Sequence, residues 1–183
     1  MFRLLKAEEI ECRIAQVKEN GLSLLLYKDA RCDMNILDET VSPYKWKREH
    51  SRENRNCTVS IWSDDLNQWV SKEDTGTESF TEKEKGVASD SFKRACFNWG
   101  IGRELYTSPF IWVSKEDCNI KPKMKGGKAV TDNYGNTIYT CYDKFYVRKI
   151  TYDGKSIDGL AIINSRTNKV AYTHMPKEKK EKK

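Results

Sequence analysis

FTEKEKGVASDSFKRACFNWGIGRELY, residues 80–106, predicts one long helix that has two chemically different faces. Apolar and small side chains recur at three- and four-residue spacings, which is typical of a helix face packed on a sheet. They are Val87, Ala88, Ser91, Phe92, Ala95, Cys96 and Trp99. On the other side, Asp90, Lys93 and Phe97 project away from this face, with Lys83 and Arg94 at its edge. An aromatic ring among cations favours nucleic-acid binding, because bases stack on rings and phosphates attract positive charge. An ordinary solvated helix face is the alternative.

Both ends of this helix are marked in the sequence. Thr81 and Glu84 form the pattern of a capping box at the helix start. Gly100 and Gly102 follow Trp99, and glycine adopts the left-handed conformation of a helix C-terminus without steric cost. The pattern therefore predicts that the helix ends at Trp99.

The composition is that of a folded, polar protein. The chain has 183 residues, of which 33% are charged, and its mean hydropathy is −0.78. No apolar run approaches the roughly 20 residues that span a bilayer, and the opening residues lack the features of a secretory signal. These observations predict a cytoplasmic protein without membrane contact.

Six cysteines occur singly along the chain, and there are only two histidines. This spacing predicts reduced structural thiols and no metal site.

Charge is distributed unevenly along the chain. Residues 121–183 hold 15 basic and 6 acidic side chains, a net charge of +9, whereas residues 1–120 hold 18 and 21, a net charge of −3. In the first two thirds of the chain, attraction for a polyanion must therefore depend on local geometry.

The pattern of apolar residues and turns predicts helices over 7–17 and from Ala30 to Val41. Asp29 would cap the second helix, whose apolar stripe consists of Ala30, Met34, Leu37 and Val41. Strands are predicted over 22–27, 44–53, 57–62, 68–71, 110–114, 144–152, 157–164 and 169–174, with a mobile loop over 121–130. The fold class is α+β, with an antiparallel β-β-β-α core, N-terminal helices and a C-terminal antiparallel β meander. We expect one domain over 1–175, with its core at about 7–114 and the C-terminal strands over 144–174. The tail 176–183 is predicted to be a disordered basic extension that attracts phosphate or increases solubility.

Two kinds of catalytic site receive little support. The GGKA stretch at 126–129 has Pro122 and Ala129 where a phosphate-binding loop needs Gly and Ser or Thr. Four carboxylates near Lys72 suggest a metal-dependent nuclease, although their spacing also fits a polar hairpin. They are Asp64, Asp65, Glu73 and Asp74. We therefore expect no enzyme activity and no cofactor.

The central segment resembles the single-strand annealing superfamily, which includes the phage Sak-type recombinases and the annealing domain of the eukaryotic Rad-fifty-two recombination mediator. The matching residues are KGVASDSFKRA (85–95), preceded by EDTG (73–76) and followed by Trp99-Gly100. A weaker match includes YKDAR (27–31) and YKW (44–46). The resemblance covers about residues 7–106.

This resemblance implies a β-β-β-α core that assembles into a homo-oligomeric ring or arc, with single-stranded DNA in a basic groove. Arg31, Lys85, Lys93 and Arg94 would contact phosphates, and Ser89 would lie near them. Lys45 and Arg48, on the strand over 44–53, complete the expected DNA contacts. Where the eukaryotic relatives have a further arginine, this chain has Phe97, which would stack on DNA or pack against the next subunit.

The resemblance implies ATP-independent annealing in homologous recombination and strand-break repair, in a phage or prophage protein of the bacterial cytoplasm. A single-strand-binding protein is a possible partner. Two alternatives remain open at this point. They are a structure-specific nuclease and a double-stranded RNA-binding module, whose strand and helix order is similar.

Overall fold

The computed structural model of the protein describes residues 1–77 and 83–175, with side chains from Gly86 onward in the second segment. The helices are α1 (Ala30–Val41) and α2 (Lys83–Trp99). In chain order, the strands are β1 (Glu11–Lys18), β2 (Gly21–Tyr27), β3 (Trp46–Ser51), β4 (Asn56–Ser63), β5 (Gln68–Thr75), β6 (Ile111–Ser114), β7 (Ile120–Pro122), β8 (Met124–Lys125), β9 (Lys128–Ala129), β10 (Tyr139–Cys141), β11 (Phe145–Asp153), β12 (Ser156–Asn164) and β13 (Lys169–His174). All strand pairs are antiparallel, and the α+β class is confirmed.

The chain divides into two compact units, and the first comprises Met1–Leu5 and Lys28–Arg103. In this unit β3, β4 and β5 form a three-stranded sheet with β4 at its centre. One face of β4 carries the buried side chains Cys57, Val59 and Ile61, and α2 packs against β4 and β5. The register places Trp46, Arg48 and His50 of β3 on this same face.

The second unit comprises Lys6–Tyr27 and the chain from Glu104 onward. Its main sheet has six strands in the order β13-β12-β11-β1-β2-β6. Two smaller pairs, β7 with β10 and β8 with β9, complete the described strands of this unit. The prediction of a single domain over 1–175 stays a prediction.

The buried face of α2 follows the sequence prediction closely. Val87, Ser91, Phe92, Ala95 and Cys96 are all buried, while Ala88 and Trp99 are partly exposed. Gly100 and Gly102 have φ values of +98° and +75°, which confirms the glycine stop. The predicted capping box of Thr81 and Glu84 lies outside the described side chains, as does the tail 176–183.

The predicted helix over 7–17 is wrong. A short 3-10 turn (Ala7–Glu9) is followed by β1, which pairs with β2. The register shifts between Ile14 and Gln16, so Ile14 lies opposite Leu24 and Val17 lies opposite Leu22. This bulge places Ile14 and Val17 on one face although they are three residues apart, and it reproduces helical spacing within a strand.

Two smaller predictions also need correction. In α1 the buried side chains are Cys32, Asp33, Ile36 and Leu37 rather than the predicted stripe, of which Leu37 alone is buried. The predicted mobile loop over 121–130 contains the hairpin β8–β9, whose turn is formed by Gly126 and Gly127.

Among the described residues, no helix is both long enough and apolar enough to cross a membrane.

Candidate nucleic-acid interface

Five of the eight predicted DNA contacts lie on α2, and three of them form a row along it. Ser89, Lys93 and Phe97 are spaced four residues apart, so they lie on one side of the helix. We call these three residues the α2 row. Ser89 is exposed, and Lys93 and Phe97 are partly exposed. Lys85 precedes Ser89 by four residues, but its side chain lies outside the described part of the structure.

Lys93 is the cation of this row. Among the described residues it makes no hydrogen bond and no ion pair, although its charge favours the ionised form of the nearby Asp33 carboxylate. An ammonium without a partner on a partly exposed helix side can take a phosphate oxygen without breaking an existing contact. Lys93 is therefore available for a ligand.

Phe97 has a partner within its own unit. The Nζ atom of Lys28 lies 4.6 Å from the centroid of the Phe97 ring, in a cation–π contact. Gly102 lies against the same lysine, since a Cβ atom at that position would clash with Lys28 Cε. The ring therefore contacts the ammonium group of a buried lysine. Base stacking by Phe97 and packing against a second subunit stay predictions.

A buried ion pair supports this side of α2. Lys28 and Asp33 are 1% and 0% exposed and pair through Nζ and Oδ1. The other carboxylate oxygen, Asp33 Oδ2, has no hydrogen-bond partner among the described residues. Burial raises the pKa of Asp33 to about 6, and the nearby charges of Lys28 and Lys93 oppose this shift. The pair joins the segment before α1 to the first turn of that helix, and the Phe97 ring of α2 packs on its lysine.

Sequence reasoning missed Lys28 and Asp33 as members of the site. The available signal was a lysine directly after the apolar strand over 22–27, together with an aspartate beside Ile36 and Leu37 in the core of α1. A charged residue in such positions indicates an internal partner, because an unpaired buried charge is costly.

Arg94 lies next to the α2 row, about 100° around the helix from Lys93, and is tied to the sheet. Its Nε atom donates to Asp74 Oδ1 of β5 at 3.2 Å, and Asn98 Nδ2 donates to Asp74 Oδ2 at 3.3 Å. Arg94 remains 41% exposed, so this ion pair contributes at most about 1 kcal/mol to stability. The structure gives Arg94 an anchoring contact. Its contact with phosphate stays a prediction.

Arg48 and Lys45 lie on opposite faces of the three-stranded sheet. The Arg48 guanidinium carbon lies 4.8 Å from the ring centroid of the buried Phe92, on the face that carries α2. Arg48 is itself exposed. Lys45 pairs instead with Asp64 at 2.5 Å. Arg48 thus lies on the same side of the sheet as α2, and strand alternation turns Lys45 away from it.

Arg31 lies at the start of α1 and is 85% exposed. Its Nε atom is 3.3 Å from the carboxylate of Asp29, whose other oxygen accepts a hydrogen bond from the backbone of Cys32 as the helix cap. Such an exposed pair contributes little to stability, and the guanidinium can turn towards a ligand. The structure does not bring Arg31 into the α2 row.

Two further cations gather at the C-terminal end of α2, and the sequence pattern did not indicate them. Lys72 Nζ and Arg103 Nη2 each donate to the carbonyl oxygen of Asn98 at 2.8 Å. Lys72 also lies 4.6 Å from the Trp99 ring centroid. Helix C-termini carry partial negative charge, so these contacts stabilise the helix end.

The four carboxylates of the nuclease alternative do not share a site. Asp64 pairs with Lys45, and Asp74 accepts from Arg94. Glu73 faces the opposite side of β5 from Asp74 and accepts from Asn56 and Thr58. Within 1–77 and 83–175, no group of three or more His, Cys, Asp or Glu side chains could hold a metal ion.

No protein-family model, no curated protein and no solved structure matches the chain. A function for the protein therefore has to be argued from the residues and geometry above.

Proposed function

We propose that the protein binds single-stranded DNA and anneals complementary strands without ATP, as a homo-oligomer that acts in homologous recombination and strand-break repair. The observation that carries this proposal is Lys93 beside the exposed Ser89 on α2, since Lys93 makes no ion pair with any described residue. The helix that presents them packs across a three-stranded antiparallel sheet, which agrees with the β-β-β-α core expected of an annealing protein.

The proposed interface suits the phosphate backbone rather than particular bases. Lys93 supplies a mobile positive charge, and the Ser89 hydroxyl can donate to a phosphate oxygen. Arg48 adds a guanidinium on the same side of the sheet. Neutralised phosphates repel a second strand less, and bases that are not held by the protein remain available for pairing. Annealing in this way requires no covalent chemistry and no cofactor.

Oligomerisation belongs to the same proposal. One subunit offers only a few cationic contacts, whereas a ring or arc of subunits repeats them along the strand and multiplies affinity. In this account the protein is of phage or prophage type, works in the bacterial cytoplasm and cooperates with a single-strand-binding protein. A mass measurement with and without oligonucleotide tests the assembly, since the proposal expects a discrete high-order oligomer and a monomer contradicts it.

The DNA interface is tested with a single substitution at Lys93. We expect Lys93→Gln to weaken binding of a labelled oligothymidylate and to reduce the slope of log affinity against log salt by about 0.7 for each phosphate that is no longer neutralised. Lys47→Gln is the matched control, because Lys47 is 48% exposed on the opposite face of the sheet. Equal affinity of the Lys93 variant and the wild type would remove the central contact of the proposal.

The alternative functions have distinct outcomes in the same assays. Cleavage products from labelled DNA in Mg²⁺ would point to a nuclease. Preferential displacement of the oligothymidylate by duplex RNA would point to a double-stranded RNA-binding module. The double variant Lys93→Ala, Arg94→Ala should bind more weakly still. Its folding must be checked separately, because Arg94 anchors α2 to Asp74.

A further inference from the structure

The segment between the 3-10 turn Lys115–Asp117 and β11 forms a small β structure of its own. β7 pairs with β10, and β8 pairs with β9 around the Gly126-Gly127 turn. Two backbone hydrogen bonds at Lys123 join these pairs, since its N–H donates to Ile138 O and its carbonyl accepts from Val130 N, both at 2.8 Å. We call residues 120–129 the lysine finger.

Four lysines of the lysine finger form one basic surface. They are Lys121, Lys123, Lys125 and Lys128. All four are exposed, and residues 120–129 contain no acidic side chain. In the part of the chain that the structure describes, none of the four makes a hydrogen bond or an ion pair through its side chain. Lys121, Lys123 and Lys125 follow at alternate positions, which in an extended chain project to the same side.

This arrangement costs stability in the free protein. Lys125 and Lys128 are direct cross-strand partners, and like charges in that position repel each other. By contrast, the cross-strand neighbours Thr58 of β4 and Glu73 of β5 complement one another, because the Thr58 hydroxyl donates to the Glu73 carboxylate. A bound polyanion would remove the repulsion in the lysine finger.

We propose that the lysine finger is a second binding site for the phosphate backbone of single-stranded DNA, separate from the α2 row. The inference rests on the proposed function and deepens it, since annealing needs contact with two strands. Lysine offers a point charge and reads no base, which suits a strand of any sequence. Lysines at alternate strand positions are about 6.6–6.8 Å apart in a line. A line of charges follows an extended single strand better than a duplex, whose phosphates wind away from it.

The test removes the four lysine charges and compares the resulting variant with two control variants. The finger variant replaces Lys121, Lys123, Lys125 and Lys128 with Gln. The first control replaces the same four residues with Arg, which retains the charge. The second control replaces four exposed lysines elsewhere in the second unit with Gln, so that net charge changes equally. These are Lys144, Lys149, Lys155 and Lys169.

We expect the salt slope of oligothymidylate binding to fall by up to about 2.8 in the finger variant, which is about 0.7 for each of four phosphates. The arginine control should retain the wild-type slope, and the slope of the second control should fall less than that of the finger variant. Equal reductions in the finger variant and the second control would overturn the inference, because net charge alone would then explain the result.

Several outcomes separate this inference from the proposed function. If Lys93→Gln weakens binding but the finger variant binds as the wild type does, the lysine finger is overturned alone. The same holds if the finger variant loses only its binding to vesicles that contain phosphatidylserine. Edge lysines also prevent sheet edges from pairing, so a variant that aggregates but binds DNA normally overturns the inference too. If the wild type binds no single-stranded DNA, both proposals fail.

A second measurement uses the unmodified protein and does not depend on variant folding. Lysine acetylation is followed by mass spectrometry with and without oligothymidylate. We expect DNA to protect the four finger lysines more than Lys155, which is exposed in the turn between β11 and β12. Equal protection at all five positions contradicts the inference.

Discussion

The buried ion pair of Lys28 and Asp33 gives the strongest stability prediction, through the substitution Lys28→Met. Lys28 is 1% exposed and Asp33 is 0% exposed, so removal of the lysine leaves a carboxylate in a site that excludes water. Removal of one partner of a buried pair costs about 3–5 kcal/mol, which is a large part of the stability of a typical domain. We expect the cost to be smaller at pH 5 than at pH 8, because Asp33 can take up a proton at the lower pH.

The assay is urea unfolding followed by tryptophan fluorescence, with the double variant Lys28→Met, Asp33→Leu as the control. In the double variant no charge remains in the site, and replacement of a buried pair by apolar side chains is often neutral or stabilising. We therefore expect the second substitution to restore most of the free energy of unfolding that the first removes. A cost below about 1 kcal/mol for Lys28→Met, or a double variant that is less stable than the single one, would refute the reasoning.

Three further predictions concern the same protein. The pKa of Asp33 is raised to about 6, above its ordinary value, so the native state binds a proton more readily than the unfolded chain does. The free energy of unfolding of the wild type, relative to that of the double variant, should therefore fall as pH rises from about 4 to 6. A difference that stays constant in urea unfolding would contradict this. Gly76→Ala should lower the free energy of unfolding by about 1–3 kcal/mol, because the new Cβ would lie 2.5 Å from Ser91 N of α2. An unchanged melting temperature in thermal unfolding would disprove that contact. Burial raises the pKa of the Cys12 thiol to about 12, so iodoacetamide at pH 8 should modify Cys12 slowly in the folded protein and quickly in the urea-unfolded protein. Mass spectrometry measures both rates, and equal rates would contradict the prediction.

Local sequence patterns were sufficient for the elements that build the proposed interface. The Asp29 cap predicted the start of α1, and the spacing of Val87, Phe92 and Cys96 predicted the buried face of α2. Gly100 marked the end of that helix. These features depend on residues close together in the chain, so the sequence displays them directly.

Contacts between distant residues could not be predicted in the same way. Phe97 is partly exposed, as the sequence predicts, but its ring also contacts the ammonium of Lys28, whose buried position depends on the packing of α1 against α2. The ion pair of Arg94 with Asp74 on the neighbouring strand is likewise absent from the sequence pattern, and the phosphate contact of Arg94 stays a prediction. In β1 a bulge imitated helical spacing, and a single register shift is invisible without the partner strand.

Strand annealing in the absence of ATP tests the central claim most directly. Two complementary oligonucleotides that carry a donor and an acceptor fluorophore are mixed with the protein, and energy transfer reports pairing. We predict that the wild type accelerates pairing, that Lys93→Gln accelerates it less, and that Lys47→Gln retains the wild-type rate. Pairing no faster with the wild-type protein than without it would contradict the account.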